Sequence, residues 1–362
     1  MKQSILVTGG CGFIGSHTCV EILENTQYDI IIVDNLINSK SSVIHSINHI
    51  VKAPDRIKFY KMSILNPSLD SLFFQYNVKA VIHFAGLKAV GESIANPMDY
   101  YETNVSGTIA LLKMCVIHQC QLIFSSSATV YGDNDKEQMT EDLPLGALPL
   151  FTSGPSPVTN PYGATKLMVE KILFDTCKAH PELNVVVLRY FNPIGAHESG
   201  LLGDDPNGIP NNLMPYIYRV AVYNDQVQRK LIDNDVTSPY RFLKVFGNTF
   251  NTVDGTGCRD FIHVVDLAQA HLAALKVTID KTNYNVYNVG TGKPTSVLQL
   301  VYTFCEVNNV NVPFRIVDKR DGDIAVLYCN PDKINVELGW ICKYTIADMC
   351  RDVWKQYANQ QS

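Results

Sequence analysis

The chain has 362 residues, 46% of them hydrophobic, enough for one large or two ordinary domains around a sizeable core. A formal net charge of −5 with no basic stripe argues against nucleic-acid binding. No apolar run approaches membrane-spanning length, and the opening Met-Lys-Gln-Ser-Ile-Leu-Val-Thr leads straight into a strand, so neither a membrane segment nor a secretory leader is expected. None of the ten cysteines forms a C-x-x-C pair, and Cys19, Cys115, Cys177 and Cys350 lie in helix-like apolar patterns. Reduced, mostly buried thiols in a cytoplasmic enzyme, with no structural metal, are expected.

Ser4 to Thr8 reads as a short buried strand, and Gly9-Gly10-Cys11-Gly12-Phe13-Ile14-Gly15 follows at once. Ser16 to Leu23 then has helical spacing, with Cys19, Val20 and Leu23 on one face. Strand, glycine-rich turn and helix in this order form the context of a dinucleotide fingerprint. The glycines let the backbone approach a pyrophosphate, and the helix start offers it free N–H groups and a partial positive charge. A second strand, Asp29 to Val33, ends in Asp34. This carboxylate stands about 20 residues after the glycines, where it can bind ribose hydroxyls. It would repel a 2′-phosphate, so NAD is favoured over NADP. A glycine cluster alone could be a surface turn, but here five successive features agree.

Strand–helix alternation continues. Strands are predicted at Ile57–Tyr60, Ala80–Phe84, Gln121–Ser125 and Asn184–Tyr190, and helices at Ser41–Val51, Pro67–Gln75, Pro97–His118 and Tyr162–Lys178. This pattern predicts an α/β fold, a doubly wound parallel Rossmann sheet. After Phe191-Asn192-Pro193 the rhythm gives way to Gly-, Pro- and Asn-rich loops. Short segments follow at Tyr240–Phe246, Asn285–Val289 and Phe314–Val317. The expectation is an NAD-binding domain over 1–191 and a smaller C-terminal α/β domain, mainly substrate-binding, over 192–362. Some later segments should return to the Rossmann body.

The chemistry is concentrated in Ser125-Ser126-Ser127-Ala128-Thr129-Val130-Tyr131-Gly132 and in Tyr162-Gly-Ala-Thr-Lys166. Tyr162 and Lys166 are four apart and share one helix face. A free phenol is a poor base at neutral pH, but a lysine ammonium and a cationic nicotinamide nearby would favour its phenolate. Tyr162 could then take a hydroxyl proton as hydride leaves the same carbon, with Ser127 hydrogen-bonded to that oxygen. Taken singly, these residues could be a packing tyrosine, a surface lysine and a turn serine.

With these residues in view, the chain resembles the extended short-chain dehydrogenase/reductases, and within them the UDP-glucose (UDP-galactose) 4-epimerases. The resemblance runs through Val7–Thr18, Asp34–Leu36, His83–Ser93, Phe124–Gly132, Arg189–His197, Gly208–Tyr216 and Asp254–Asp260. The stretches His83–Ser93 and Gly208–Tyr216 are the most specific to the epimerases. The resemblance implies a catalytic set of Tyr162, Ser127 and Lys166. For the cofactor it implies Gly9, Gly12, Phe13, Ile14, Gly15, Asp34, Asn35, Ser39, Ser63, Ile64, Phe84, Ala85, Gly86, Lys88 and Phe191, together with Tyr162 and Lys166. For the substrate it implies Lys88, Ser127, Tyr162, Asn192, Asn212, Leu213, Arg259, Arg320, Asp323 and Leu327. Arg259 and Arg320 would hold the diphosphate of a UDP-sugar and Asp323 its uridine ribose. The implied assembly is a homodimer in which the Pro97–His118 and Tyr162–Lys178 helices pair across a two-fold axis.

Related dehydratases and decarboxylases carry an acid after the serine or threonine, where this chain has Ala128 and Thr129. Without that acid the 4-keto sugar has no route but to take hydride back. Rotation before hydride return inverts C4, which requires NAD tightly held rather than exchanged. A net dehydrogenase and a non-catalytic NAD-binding scaffold are the competing classes. Three departures from the family pattern stand out: Ser63 in place of an aspartate near the adenine, extra length at Leu145–Asn160 and Asn224–Leu243, and Leu327 where a tyrosine limits room beside the sugar 2-substituent. The last predicts that UDP-GlcNAc and UDP-GalNAc are also interconverted, unless Tyr328 fills that position.

Overall fold

The structure, a computed structural model, describes residues 2–132, 137–146, 158–277, 283–320 and 323–361. In chain order the strands are β1 (Gln3–Thr8), β2 (Asp29–Asp34), β3 (Ile57–Lys61), β4 (Asn77–His83), β5 (Gln121–Ser127), β6 (Gln138–Met139) and β7 (Val185–Tyr190). Then come β8 (Asn192–Ile194), β9 (Leu243–Phe246), β10 (Cys258–His263), β11 (Tyr284–Val289), β12 (Pro294–Ser296), β13 (Phe314–Val317) and β14 (Val326–Cys329).

Seven strands pair in parallel in the order β11-β7-β5-β4-β1-β2-β3. Val7 on β1 faces Ile32 on one side and Ile82 on the other. Because successive side chains point to opposite faces, Ile5, Val7, Ile30, Ile32, Ile82 and Leu188 fill one core. Leu6, Ile31, Val33, Val81, Leu122, Phe124 and Val187 fill the other. The first core is capped by helices Phe13–Asn25, Ser42–Val51 and Val264–Val277, the second by Leu69–Gln75, Gly107–Ile117 and Pro161–Ala179. With both faces covered, these strands read as continuous aliphatic runs rather than alternating ones. Each fully buried aliphatic side chain contributes about 1.5–3 kcal/mol, so these two cores dominate the stabilisation.

β11 lies at the edge of this sheet although its residues come late in the chain. The remaining strands form β12-β10-β14-β6, with β8 beside β10, and the small pair β13–β9. Helices Leu213–Gln228, Val297–Asn308 and Ile346–Gln361 pack there around Met214, Ile217, Leu300, Phe304 and Val353.

Two expectations are corrected. The helix predicted over Pro97–His118 is interrupted: an α-turn at Pro97–Tyr100 widens into a π-helix over Tyr101–Ser106 before α-helix resumes at Gly107–Ile117. The widened turn lets Asn104, 4% exposed, aim inward. Asn224–Leu243 is not wholly loop, because Leu213–Gln228 is helical. Asn224 bonds the Val220 carbonyl at 2.8 Å as an ordinary helix residue. Of the other long segment, Leu145–Asn160, residues 147–157 lie outside the described residues. No helix among the described residues is long and apolar enough to cross a membrane.

Candidate active site

In a parallel sheet, ligands bind beyond the strand carboxyl ends where the strand order reverses, here between β1 and β4. The loops after β1, β2 and β4 meet at that point: the Gly9 N–H donates to the Val33 carbonyl at 2.8 Å and the Phe84 N–H to the Thr8 carbonyl at 3.0 Å. Gly9 has φ +69°, and a Cβ there would stand 2.7 Å from the Ala85 nitrogen. A Cβ on Gly15 would strike the Gly9 carbonyl. The turn therefore presents bare backbone up to the helix Phe13–Asn25, which starts at Gly12 with no side-chain cap. Such a helix start suits a phosphate.

Asp34 closes β2 and is 7% exposed. It accepts the Cys11 N–H at 3.0 Å, the Leu36 N–H at 2.9 Å and the Ser39 hydroxyl at 2.9 Å. Those three bonds aim the carboxylate and leave about one of its acceptor positions for a ribose hydroxyl. A turn that any side chain would fill, an uncapped helix start and an oriented carboxylate together fit a dinucleotide. The Phe84 ring lies tilted at 52° against His271, with ring centroids 4.7 Å apart, and Gly86 lies against Asn104. Ile14 packs on the first core and Phe191 is buried beside Ala128.

Other residues expected around the cofactor have local employment. The Asn35 side chain accepts the Ile37 N–H at 3.1 Å in an exposed loop. Ser63 accepts the Leu65 N–H at 3.2 Å, and Ile64 packs into the space left by Gly107. Lys88 stands 3.9 Å from Asp204.

Ser127, Tyr162 and Lys166 do come together. Ser127 ends β5 and its oxygen accepts the Thr129 N–H at 3.3 Å. Its hydroxyl is hydrogen-bonded to Tyr162, in the second position of helix Pro161–Ala179, whose N-cap Asn160 accepts the Gly163 N–H at 2.9 Å. One turn on, the Lys166 ammonium donates to the Ser125 carbonyl at 2.7 Å, 5.8 Å from the Tyr162 ring centre and 4.9 Å from that of Phe124. Burial raises the Tyr162 phenol above its ordinary range, and the bond with Ser127 partly opposes this. Lys166 is pulled down to about 8 by burial, with the Glu170 carboxylate acting against it. Within the protein alone burial outweighs the lowering bond from Ser127, and the expected phenolate rests on a cationic nicotinamide as well as on Lys166.

On the substrate side, Arg259 lies on β10 and donates to the Cys258 carbonyl at 2.8 Å and the Ile324 carbonyl at 3.0 Å. Burial lowers its pKa, Asp323 opposes this and Arg320 adds to it. Arg320 and Asp323 pair with each other, N–O 2.9 and 3.2 Å, with Arg320 largely exposed. Leu327 on β14 pairs with Arg259 and packs against the Ala128–Phe191 cluster. Strand alternation turns Tyr328 to the opposite face. Asn192 and Asn212 are exposed and Leu213 is half-buried, at the start of β8 and of helix Leu213–Gln228.

Three residues escaped the sequence reading. Asn104 clamps Leu87, accepting its N–H at 2.8 Å and donating to its carbonyl at 3.0 Å, and it also donates to Thr165 at 3.1 Å. Only a π-turn, which has no clear sequence signature, aims it there. His83, between Thr8 at 2.7 Å and Thr108 at 2.9 Å, is pushed down to about 3 by burial and then by Lys166. Glu170 stands four residues after Lys166, a spacing that helix geometry could have flagged.

Fold and site define a dinucleotide-binding α/β protein with a Ser–Tyr–Lys centre. Residues 5–290 match the NAD dependent epimerase/dehydratase family, and the chain belongs to that family. It is 47% identical over 355 residues to UDP-glucose 4-epimerase of Bacillus subtilis (strain 168), covering 98% of this chain and 96% of that one. With the Homo sapiens UDP-glucose 4-epimerase it shares 43% over 361 residues, 98% of this chain and 96% of the other. Among solved structures, UDP-glucose 4-epimerase of Bifidobacterium longum in complex with NAD+ and UDP superposes with a TM-score of 0.87 at 42% identity, covering 99% of both chains. That of Stenotrophomonas maltophila, with bound NAD and formylated UDP-arabinopyranose, gives 0.88 at 41%, over 99% of this chain and 98% of the other.

Proposed function

We propose that the protein is a UDP-glucose 4-epimerase that inverts C4 of the sugar with a tightly held NAD. The observation that carries this reading is the meeting of Ser127, Tyr162 and Lys166 beside the bare Gly9–Gly15 turn. The level of identity to named UDP-glucose 4-epimerases over nearly the whole chain supports it.

Bound NAD supplies a hydride acceptor and a positive charge. Tyr162 takes the proton of the sugar 4-hydroxyl and later returns it, while Ser127 holds the same oxygen and steadies the charge that develops on it. Lys166 places an ammonium beside the phenol. Arg259, Arg320 and Asp323 are the residues for the UDP moiety, with Arg320 and Asp323 paired with each other and acting electrostatically on Arg259. Ala128 and Thr129 follow Ser127 directly and bring no acid, so elimination and decarboxylation lack their proton carrier.

The glucose/galactose pair is the substrate we favour. The relatives of this chain at 43–47% identity are UDP-glucose 4-epimerases, whereas a solved UDP-Glc/GlcNAc 4-epimerase from Campylobacter jejuni shares 31%. We also place the protein in the cytoplasm as a homodimer. Ten free thiols, eight of them buried, suit a reducing compartment. Met98 and Ile117, 75% and 65% exposed on Pro97–Ile117, offer apolar surface for a second copy.

To test the reading, purified protein is incubated with UDP-galactose, stopped by heat, and the mixture is then assayed with a UDP-glucose-specific dehydrogenase supplied with its own NAD+. Formation of UDP-glucose in an incubation without added NAD supports it. NADH released from UDP-galactose by the protein alone would make it a net dehydrogenase instead.

A further inference from the structure

Three consecutive serines at the end of β5 each engage a different partner. Ser125 is hydrogen-bonded to Tyr190, Ser127 to Tyr162, and Ser126 donates to the Glu170 carboxylate at 2.5 Å. Glu170 is 2% exposed. It also takes Arg189 Nη2 at 2.7 Å and Arg189 Nε at 3.1 Å. Arg189, 4% exposed on β7, donates onward to the Tyr131 hydroxyl at 2.9 Å, and Tyr131 donates to Asn288 on β11 at 2.7 Å. Asn288 donates to the Met139 carbonyl at 3.0 Å. This buried chain of bonds runs behind the Ser–Tyr–Lys centre and touches no reacting atom.

We propose that Glu170 is the positioning residue of that centre. It ties the helix bearing Tyr162 and Lys166 to the strand end bearing Ser127, and it sets one negative charge against two buried cations, Lys166 and Arg189. The inference rests on the epimerase reading for its kinetic consequence.

Geometry carries the first half. Glu170 lies one turn beyond Lys166, on the same helix face. Its bond to Ser126 sits between the residue whose carbonyl receives Lys166 and the residue that meets Tyr162. A sideways slip of the helix would break all three contacts together, and misplacement by about 1 Å can cost on the order of a hundredfold in rate.

Charge carries the second half. Around the centre stand His83 from β4, Arg189 and Tyr190 from β7 and Tyr100 from the helix ahead. His83 is neutral, and Arg189 also faces Glu141 across the network. Among the described residues, Glu170 is the carboxylate that acts on Lys166. Removing its charge while keeping its shape leaves two cations without their shared counter-ion.

The test is Glu170→Gln, read in two ways. Lysine labelled with 13C at Cε, its signal assigned with Lys166→Met, follows the Lys166 titration whether or not a sugar is turned over. In Glu170→Gln that titration moves at least about one pH unit lower than in the wild type, and Glu170→Asp brings it back. The kcat for UDP-galactose at pH 7 falls about tenfold or more, KM stays within about threefold, and the alkaline limb of the kcat profile moves down with Lys166. Equal Lys166 titrations in wild type and Glu170→Gln overturn the charge role. Should Glu170→Gln not fold, Ser126→Ala cuts the strand bond with both charges kept. It should lower kcat about fivefold at an unchanged titration, and an unchanged kcat overturns the positioning role. A wild type that leaves UDP-galactose untouched would overturn the epimerase reading, and the titrations would still decide the role of Glu170.

Discussion

The Lys166 ammonium donates to the Ser125 carbonyl at 2.7 Å and stands 5.8 Å from the Tyr162 ring centre. One buried cation thus binds the strand end and faces the phenol. The phenol itself is held above its ordinary range by burial. Within the protein alone the neutral phenol is favoured, and a further positive charge beside it would act in the opposite direction.

Tyr162→Phe should remove the proton carrier and leave the fold intact, because the ring keeps its place at the start of helix Pro161–Ala179. The expected loss in kcat is on the order of 10²–10⁴ with little change in melting temperature. Full activity in this variant would contradict the role given to the phenol.

Gly15→Ala should yield a protein without cofactor. Its Cβ meets the Gly9 carbonyl and the Gly10 Cα, which are backbone atoms that cannot swing away. NAD released by denaturation and measured by its absorbance should fall from stoichiometric to near zero. Retention of a full complement would mean that the turn is not the pyrophosphate cradle.

Asn104→Ala should unfasten the loop after β4 from the helix Pro161–Ala179. It strands the half-buried Leu87 N–H and carbonyl, costing up to about 1–3 kcal/mol each, and removes one of the two bonds of Thr165, which keeps the Tyr162 carbonyl. Calorimetry should show a lowered melting temperature, and NAD should be lost faster on dialysis. An unchanged protein in both measurements would make the π-turn incidental.

Acid should destabilise the fold through its buried histidines. His17 and His83 are pushed down to about 3 and His271 to about 4, each by burial, so the native state keeps them neutral. Once the pH drops below the ordinary histidine value of about 6.5, the unfolded chain binds protons that the native state refuses. Each histidine then takes away about 1.4 kcal/mol per pH unit, until the pH reaches its own native value. Glu21, pushed up to about 7, works in the opposite direction, as do Glu24, Glu141 and Asp266, which burial also raises, while His197, lowered by burial, adds to the effect of the other histidines. Unfolding by urea should therefore need less denaturant at pH 5.5 than at pH 7.5, and an unchanged midpoint would contradict these protonation states.

Much of this was legible in the residues. Aliphatic runs foretold β1, β2, β5 and β7, because strands buried on both faces leave that signature. The Tyr162–Lys166 pair was readable because both residues fall on one face of one helix. Ser127 needed the neighbouring strand to be correctly placed as well. The harder features depend on tertiary packing. Nothing local announces that Asn104 turns inward, since a single extra residue in the helical turn decides it. The Arg320–Asp323 pair and the anchoring of Ser126 on Glu170 involve groups whose roles depend on what lies opposite them. The expected lowering of the phenol rests on Lys166 together with a cationic nicotinamide, and within the protein alone burial is the largest influence on both Tyr162 and Lys166.

The central claim is that hydride leaves C4 and returns to the same sugar without exchange. UDP-galactose deuterated at C4, incubated with the purified protein and no added NAD, tests it most directly. The account predicts UDP-glucose carrying the deuterium at C4, seen by proton NMR as a missing H4 signal. UDP-glucose with protium at C4, or deuterium appearing in released NADH, would contradict it.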